Sequence, residues 1–387
     1  MSTISKSRIE SLDLLKGLVM VLMALDHTKD FFYKSPSLLN LTNPESVTVG
    51  GFITRWITHF CAPTFCFLAG VSAFMIGMRK SKTELSSFLL KRGLWLVFIQ
   101  LTIVGFSWYF DIHFHNVELG TIWSLGISMI ALAAIIHLPK NVILIFSLVI
   151  IFGHNLLDTV HFEGNILWSM LHEYKAYTVL SNYHINVVYP VIPWIAIMSL
   201  GYYFGNFYDK TYIPAKRKKL FNQIGITAVV GFFVLRFINV YGDLGTWKHY
   251  ETTSQTVMSF MNVSKYPPSL LFVLITLGGA LLFLANSEKL KGKVVDFFTV
   301  FGRVPFFYYI IHLYAIHILA TILAEIEGYG WRIMIQETFD PDLKGFGYTL
   351  PIVCIVWVFI IALLYPLCKK FDTYKQAHKE KWWLSYL

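Results

Sequence analysis

Charged residues are scarce in this 387-residue chain, since only 14% of its residues are Asp, Glu, Lys or Arg while 56% are hydrophobic and 17% are aromatic. A typical soluble domain carries about 25% charged residues, so the composition excludes an ordinary soluble protein. No segment alternates apolar and polar residues as a half-buried strand does. The apolar residues fall instead into runs of the roughly 20 residues that a membrane helix needs. The sequence therefore predicts an all-α, polytopic integral membrane bundle.

Cysteine is also rare, and the usual motifs of soluble enzymes are missing. The four cysteines lie within or at the ends of the apolar runs, without a CxxC pair or a His/Cys cluster of zinc spacing. The sequence thus predicts no disulfide and no metal site. Walker, GxGxxG and GxSxG patterns are absent, which argues against ATPases, dinucleotide enzymes and α/β hydrolases. We also find no internal repeat, which weakens the case for a secondary transporter.

Ten segments are predicted to span the membrane. They lie near residues 12–33, 52–77, 88–110, 119–138, 140–156, 186–207, 220–240, 267–286, 296–322 and 347–368. With the N-terminus inside, 21 Lys and Arg residues fall on inner segments and 6 on outer loops. Cytoplasmic loops are enriched in these residues, so both termini are predicted to be cytoplasmic, in a cytoplasmic (inner) membrane. The first run is full length and is predicted to be a retained span, not a cleavable signal.

The net charge of +9 follows from this topology. Basic inner loops indicate contact with anionic lipids on the inner face, and no nucleic-acid partner is predicted. Stripes of small residues along the spans permit close helix packing and would allow a homodimer. The outer connection between residues 157 and 185 contains apolar residues at helical spacing, which predicts an amphipathic helix at the outer surface.

The first predicted span ends in ionisable groups. Asp13, Lys16 and His27 fall on one helical face, with Asp13 and His27 roughly 21 Å apart along it. Titratable side chains at membrane depth usually face a bundle interior or a water-filled cavity. His27 therefore either lines such a cavity as a catalytic base or lies in the outer headgroup region beside Asp26 and Asp30. Spacing alone leaves both interpretations open.

Further candidate residues lie near the ends of other predicted spans. Arg55 and His59 are four residues apart near the outer end of the second span, where they either line a cavity or anchor the interface. Lys91 and Arg92 open the third span on the inner side. They either reach lipid phosphates or bind an anionic ligand. The remaining candidates are Glu118, Trp123, Lys265 and Tyr266 toward the outer side, Arg303 near the inner side, and the intramembrane His312.

Several blocks along the chain share the pattern of one family. They are the start R-x-x-S-L-D-x-x-K-G from Arg8, then CAPTFCFLAGVSAF, TIWSLGIS, YPVIPWIAIMSLGYYFG, KYPPSLLF, GRVPFFYYIIHLYAIH and the WWLSYL tail. With these blocks the chain resembles the bacterial branch of the heparan-α-glucosaminide N-acetyltransferase family, which is distantly related to membrane acyltransferases that modify surface polysaccharides. The resemblance implies a single transmembrane domain over residues 1–387. An acyltransferase-like core would cover about 8–322, and the last span and basic tail would cover 347–387.

The resemblance implies transfer of an acetyl group from cytoplasmic acetyl-CoA, as acyl donor, to a sugar-like or other small acceptor on the outer side. His27 matches the first-span histidine of the polysaccharide acyltransferases, and Lys91 and Arg92 match their basic pair. His312 matches a late-span histidine of the glucosaminide enzymes. Those enzymes carry their active histidine in a longer first outer loop than this chain has, so His27 and His59 both stay candidates for the base.

The hypothesis is a passage from an inner mouth to His27. The donor would be bound by Asp13, Lys16, Lys91, Arg92 and Arg303. His27 would act as general base, and Asp30 would orient its ring and stabilise the imidazolium. The acceptor would contact Arg55, Trp123, Lys265 and Tyr266. The alternatives are a proton-coupled transporter or exporter of a small amphiphilic or sugar-like molecule, and a non-enzymatic membrane partner.

Overall fold

The computed structural model describes residues 9–34, 42–180, 182–335 and 345–385. Arg8, which begins the first family block, lies outside them. The helices are α1 (Glu10–Phe32), α2 (Val49–Thr58), α3 (Cys61–Gly77), α4 (Lys82–Ile99), α5 (Gly105–Tyr109), α6 (Thr121–Ile135), α7 (Lys140–Gly153), α8 (Ile166–Leu171), α9 (Val191–Phe204), α10 (Pro214–Ile238), α11 (Thr253–Met261), α12 (Leu270–Ser287), α13 (Lys293–Arg303), α14 (Pro305–Ile326) and α15 (Leu350–Ala377). The strands are β1 (Asn116–Leu119), β2 (Lys175–Leu180) and β3 (Tyr183–Val187).

Within the described residues, seven helical segments are long and apolar enough to cross a membrane. They are Val49–Gly77, Lys82–Tyr109, Lys140–Leu157, Pro214–Ile238, Leu270–Ser287, Pro305–Ile326 and Leu350–Ala377. The chain is therefore a multi-pass helical membrane protein. Each of the other predicted spans also contains a helix: α1 is long but carries several charged residues, whereas α6 has 15 residues and α9 has 14. The count of ten spans and the cytoplasmic placement of the termini stay predictions.

Contacts near the ends of the helices define two ends of the bundle. Arg217 pairs with Glu288 at 2.8 Å and Arg303 with Asp372 at 3.5 Å, which joins segments predicted to be cytoplasmic. We call this the inner end. At the opposite, outer end, the backbone of Lys34 donates to the carbonyl oxygen of Tyr348 at 3.0 Å.

A small sheet at the outer end departs from the all-α prediction. The strands lie in the order β1-β3-β2, with β1 parallel and β2 antiparallel to β3. Glu118, expected at the opening of the fourth span, lies on β1. The predicted amphipathic helix is reduced to the short α8, and the chain enters β2 at Lys175. The β1–β3 pair joins segments more than 60 residues apart, so local periodicity could not indicate it.

Two predicted helices are interrupted. The predicted span 296–322 consists of α13 and α14, which are separated at Val304, and Pro305 occupies the first turn of α14. The predicted span 52–77 is broken at His59 and Phe60, between α2 and α3, and Pro63 lies in the first turn of α3. Proline is tolerated in a first helical turn because its missing N–H would have no helical partner there. Both prolines therefore sit near helix starts.

Glycines set the closest helix contacts. A Cβ on Gly17 of α1 would lie 1.8 Å from the carbonyl oxygen of Phe298, and one on Gly302 of α13 would lie 1.8 Å from that of Asp13. Small residues allow this approach of two backbones. Gly70 of α3 makes an equally close contact with α9. The small residue Gly70 thus packs against another helix of the same chain. The crossing of α1 and α13 also brings Arg303 close to the Asp13 end of α1.

Candidate functional site

Two histidines from opposite ends of the sequence meet near the outer half of the bundle. Nδ1 of His27 on α1 lies 2.7 Å from Nε2 of His312 on α14. Nδ1 of His312 in turn lies 2.8 Å from the carbonyl oxygen of Tyr308. A carbonyl oxygen only accepts hydrogen bonds, so the hydrogen-bond network assigns the proton of His312 to Nδ1.

This assignment determines the tautomer of His27. In a neutral His312, Nε2 is the acceptor, so Nδ1 of His27 must donate the bond between the rings. A neutral His27 then carries its lone pair on Nε2. His312 thus orients the ring of His27 through Nδ1, while Asp30, which was expected to orient that ring, lies half-buried about one helical turn further along α1.

Aromatic side chains hold the His27 ring inside the protein. The rings of His27 and His312 stack with their centroids 5.0 Å apart. The edges of Trp108 on α5 and Tyr309 on α14 approach at 5.0 and 6.0 Å. His312 is fully buried and His27 half-buried. Of the two interpretations left open by the sequence, the structure therefore places His27 in the bundle interior.

A charged cluster lies next to His27. Asp26 accepts a hydrogen bond from Thr58 at 2.9 Å, and its two oxygens lie 3.4 Å from the ammonium groups of Lys29 and Lys265. We call Asp26, Lys29, Thr58 and Lys265 the outer polar cluster. Lys29 is 2% exposed. The sequence analysis did not select Asp26 or Lys29 as site residues, although Asp26 precedes His27 directly. Two cations around one carboxylate give these three charged groups a net positive charge.

Lys265 reaches this cluster from the loop between α11 and α12. Its ammonium lies 5.1 Å from the centre of the Tyr266 ring. Burial alone would lower the pKa of Lys265, but two neighbouring tyrosines and Asp26 outweigh burial and raise the pKa well above its ordinary value. Lys265 therefore stays charged.

Of the other residues expected to contact the acceptor, Arg55 and Tyr266 lie near Lys265, whereas Trp123 lies in a separate apolar cluster. Arg55 donates to the side chain of Asn262 at 3.1 Å, three residues before Lys265, so it lies in the same outer region. Tyr266 packs against Tyr174 and Tyr189 at 6.0 and 5.1 Å. Trp123 packs in an apolar cluster with Leu119, Val187 and Val191 beneath the sheet.

His59 is the other candidate base. It lies at the break between α2 and α3, is 3% exposed and packs against Phe272 with ring centroids 5.3 Å apart. Neither of its ring nitrogens has a hydrogen-bond partner within the described part of the chain. No neighbour therefore selects its tautomer, in contrast to His27.

Glu118 on β1 joins the same outer region. Its carboxyl group interacts electrostatically with Asp30 and with Tyr309. Burial raises the pKa of Glu118 to about 7, against a smaller lowering by a hydrogen bond from Tyr109. Its charge therefore changes near neutral pH. The sequence analysis had placed Glu118 only in an outer vestibule.

The candidate donor residues lie toward the inner end. Lys16 donates to the hydroxyl of Ser72 on α3 at 2.9 Å, and Asp13 is buried. Lys91 is exposed, whereas Arg92 is half-buried with its guanidinium 6.0 Å from the centre of the Phe88 ring.

A ring contact links the two inner arginines. Trp95, one turn from Arg92, packs against Phe306, one turn from Arg303, with ring centroids 5.1 Å apart. Arg303 thus ends α13 at the break, and Arg92 lies one turn from a ring that contacts the start of α14.

A narrow apolar cavity lies between the inner break and His27. It has a volume of about 20 Å³, which is room for about one water molecule. It is lined by Met20, Met23, Cys61, Ala62, Phe65, Thr121, Ile122, Leu125, Pro305, Phe306 and Tyr309. Met23 lies one turn from His27, and Pro305 and Phe306 lie at the inner break. A larger cavity of about 510 Å³ between α2 and α11 is lined without any titratable side chain.

Comparison with known families gives one match. The family model described as heparan-alpha-glucosaminide N-acetyltransferase, catalytic, matches residues 8–233. These residues include His27, His59 and Arg92, whereas Lys265 and His312 lie beyond the match. No curated protein matches the chain.

Proposed function

The chain belongs to the heparan-alpha-glucosaminide N-acetyltransferase family, and from this premise we propose that it transfers an acetyl group from acetyl-CoA to an amine or hydroxyl of a sugar-like acceptor. The donor would enter from the inner end and the acceptor from the outer end. One observation carries the proposal: the hydrogen bonds from His27 through His312 to the Tyr308 carbonyl leave Nε2 of His27 as the basic nitrogen. A positioned base of this kind contributes about 10²- to 10⁴-fold in rate.

The proposed reaction is a direct transfer. Nε2 of His27 takes the proton of the acceptor N–H or O–H while the acceptor atom attacks the thioester carbonyl. The new bond to the acetyl carbon forms as the carbon–sulfur bond breaks. The imidazolium then returns its proton to the departing thiolate, which leaves as CoA thiol. His312 acts as a positioning residue, because it selects the tautomer of His27 without touching either substrate.

The outer polar cluster would support the charge that develops on the thioester oxygen. Lys265 and Lys29 share one carboxylate, so their ammonium groups retain positive charge beyond what Asp26 neutralises. Charged donors that are already in position stabilise an oxyanion in a water-poor site. Asp26 would in turn hold both lysines near His27.

The inner end would bind the donor. Phosphates are bound well by guanidinium groups. Arg303 ends α13 at the inner break, and Arg92 lies one turn from Trp95, whose ring contacts Phe306 beyond that break. The narrow cavity would then receive the thioester arm. Its volume of about 20 Å³ is too small for that arm, so donor binding requires Met20 and Met23 to move. Methionine side chains are unbranched and adapt readily to a new shape.

The test uses the purified full chain in lipid nanodiscs. Acetyl-CoA and an amino-sugar acceptor are supplied, and both free CoA thiol and acetylated product are measured. We expect equimolar thiol and product, a loss of at least 100-fold in His27→Ala, and ordinary turnover in the exposed control His137→Ala. Full turnover in His27→Ala would overturn the role of that residue. Acceptor flux across the membrane without any acetylated product would instead support the transporter alternative.

A further inference from the structure

A second cluster of histidines lies at the outer end, away from His27. His154 follows α7, Asp158 lies in the next turn, and His172 ends the short α8. Ligand atoms of these three side chains lie within 4.8 Å of one another. His154 is 3% exposed and His172 is 2% exposed. The cluster thus joins the turn that follows α7 to the end of α8 in a largely buried position.

Most nitrogens of these two rings lack a partner. Nε2 of His172 pairs with Asp158 at 3.0 Å. Both nitrogens of His154 and Nδ1 of His172 have no hydrogen-bond partner among the residues that the structure describes. Buried polar atoms are nearly always bonded, and an unbonded one calls for an explanation such as an ion. An unbonded nitrogen of the buried His154 beside the His172–Asp158 pair is therefore a free ligand position for a cation.

We propose that His154, Asp158 and His172 bind a divalent transition-metal ion of the zinc type. Imidazole and carboxylate are its common ligands, and three of them leave a fourth tetrahedral position for water. In a tetrahedral site the ligand atoms would be about 3.4 Å apart, so the rings must close in slightly around the ion. The metal would replace the contact between Nε2 of His172 and Asp158, and the ring proton of a neutral His172 would then lie on Nδ1.

The surroundings of the cluster support ligation. The amide of Asn155 donates to the second oxygen of Asp158 at 2.7 Å. Its own carbonyl accepts from the backbone of Leu270 at 2.9 Å, at the start of α12. Hydrogen bonds of this kind orient a ligating carboxylate. Asp158 is therefore held in place before any ion arrives.

The site would tie the outer connection to the bundle. His172 lies two residues before Tyr174, whose ring packs at 6.0 Å on Tyr266, next to Lys265. A metal at this position would hold Tyr174 over the outer polar cluster. Any effect of the metal on turnover through Tyr174 rests on the proposed acetyltransferase function, whereas metal binding itself does not.

The experiment measures zinc and cobalt binding by the full chain, without a histidine tag, in detergent. After loading with Zn²⁺ and washing with a weak chelator, we expect about one zinc per chain by elemental analysis. Co²⁺ should give the visible absorption of a tetrahedral site. His154→Ala and His172→Ala should bind at least 10-fold more weakly, and Asp158→Asn, which keeps the size of the side chain, should do the same.

The matched control is His161→Ala, which removes an exposed histidine from the same connection. It should retain the metal. A wild-type chain that holds no zinc above the level of His154→Ala overturns the proposal, and so does an equal loss in His161→Ala. Zinc binding that persists without any acetyl transfer would separate this site from the proposed function.

Discussion

The pairing of His27 with His312 leads to a test that separates positioning from packing. Replacing His312 by Leu removes the acceptor of the 2.7 Å bond from Nδ1 of His27. The Tyr308 carbonyl keeps a partner, because it is also the helical acceptor for the backbone of residue 312. The fold should therefore survive, while the proton of His27 becomes free to move to Nε2.

The magnitude follows from the lost hydrogen bond and the wrong tautomer. One hydrogen bond contributes about 0.5–1.5 kcal/mol net, which corresponds to up to about 10-fold. A histidine base held in the wrong tautomer loses up to about 10⁴-fold in serine proteases, where a carboxylate is the partner. For a neutral partner we expect kcat of His312→Leu to fall about 10- to 100-fold, less than in His27→Ala. The KM for acetyl-CoA should not change, because the donor phosphates bind elsewhere.

The informative comparison is His312→Gln. A glutamine oxygen can accept from Nδ1 of His27 and restore the tautomer, so this variant should keep kcat within a few-fold of the wild type. The double variant His27→Ala/His312→Leu should be no slower than His27→Ala alone, since the two residues act as one unit. Thiol release in nanodiscs measures all four variants. Equal kcat values for His312→Leu and His312→Gln would refute the assigned hydrogen-bond direction.

Four further predictions follow from other contacts. Because burial raises the pKa of Glu118 from 4.5 to about 7, the contribution of Glu118 to folding stability should be fully present below pH 4.5 and be lost as pH rises through 7. The difference in stability between the wild type and Glu118→Gln, measured by thermal unfolding, should change by at most about 3 kcal/mol over this range. Gly17→Val should destabilise the bundle by about 3 kcal/mol or more in the same assay, because its Cβ meets a backbone oxygen of α13 at 1.8 Å, whereas Gly245→Ala, with open space around it, should not. Lys265→Met should lower kcat about 10- to 1000-fold if its ammonium supports the oxyanion, and an unchanged kcat with altered acceptor KM would assign it to binding alone. Arg92→Ala should raise the KM for acetyl-CoA about 10-fold with little change in kcat, while the exposed control Lys80→Ala leaves both values unchanged.

Much of the architecture could be predicted from the sequence because hydropathy acts locally. A run of apolar residues forms a helix in lipid whatever its neighbours do, since its backbone must satisfy its own hydrogen bonds. The predicted spans accordingly all contain helices. The sheet escaped prediction because β1 gains its partner from β3 across three intervening α-helices, α6, α7 and α8. The break at Val304 escaped because an apolar run does not show where a helix stops and restarts.

The candidate site also contains residues that the sequence could indicate and residues that it could not. Ionisable residues inside apolar runs stand out in any sequence, which is how His27 and His312 were selected. Lys265 was selected because it precedes the predicted span 267–286 at its outer end. Asp26 and Lys29 were passed over, since a charge beside a span end is ordinary at a membrane surface. Their importance depends on Lys265, which comes from a loop 239 residues away.

The amino-acid sequence by itself determined the class of this protein, its helical segments and the family to which it belongs. Hydropathy and the order of motifs follow from the linear sequence alone. Only the tertiary structure decided which nitrogen of His27 can take a proton, and that His154 and His172 come together beside Asp158. The first depends on atoms that meet across a large sequence separation, since His27 and His312 are 285 residues apart. Their contact exists only because α1 and α14 pack side by side.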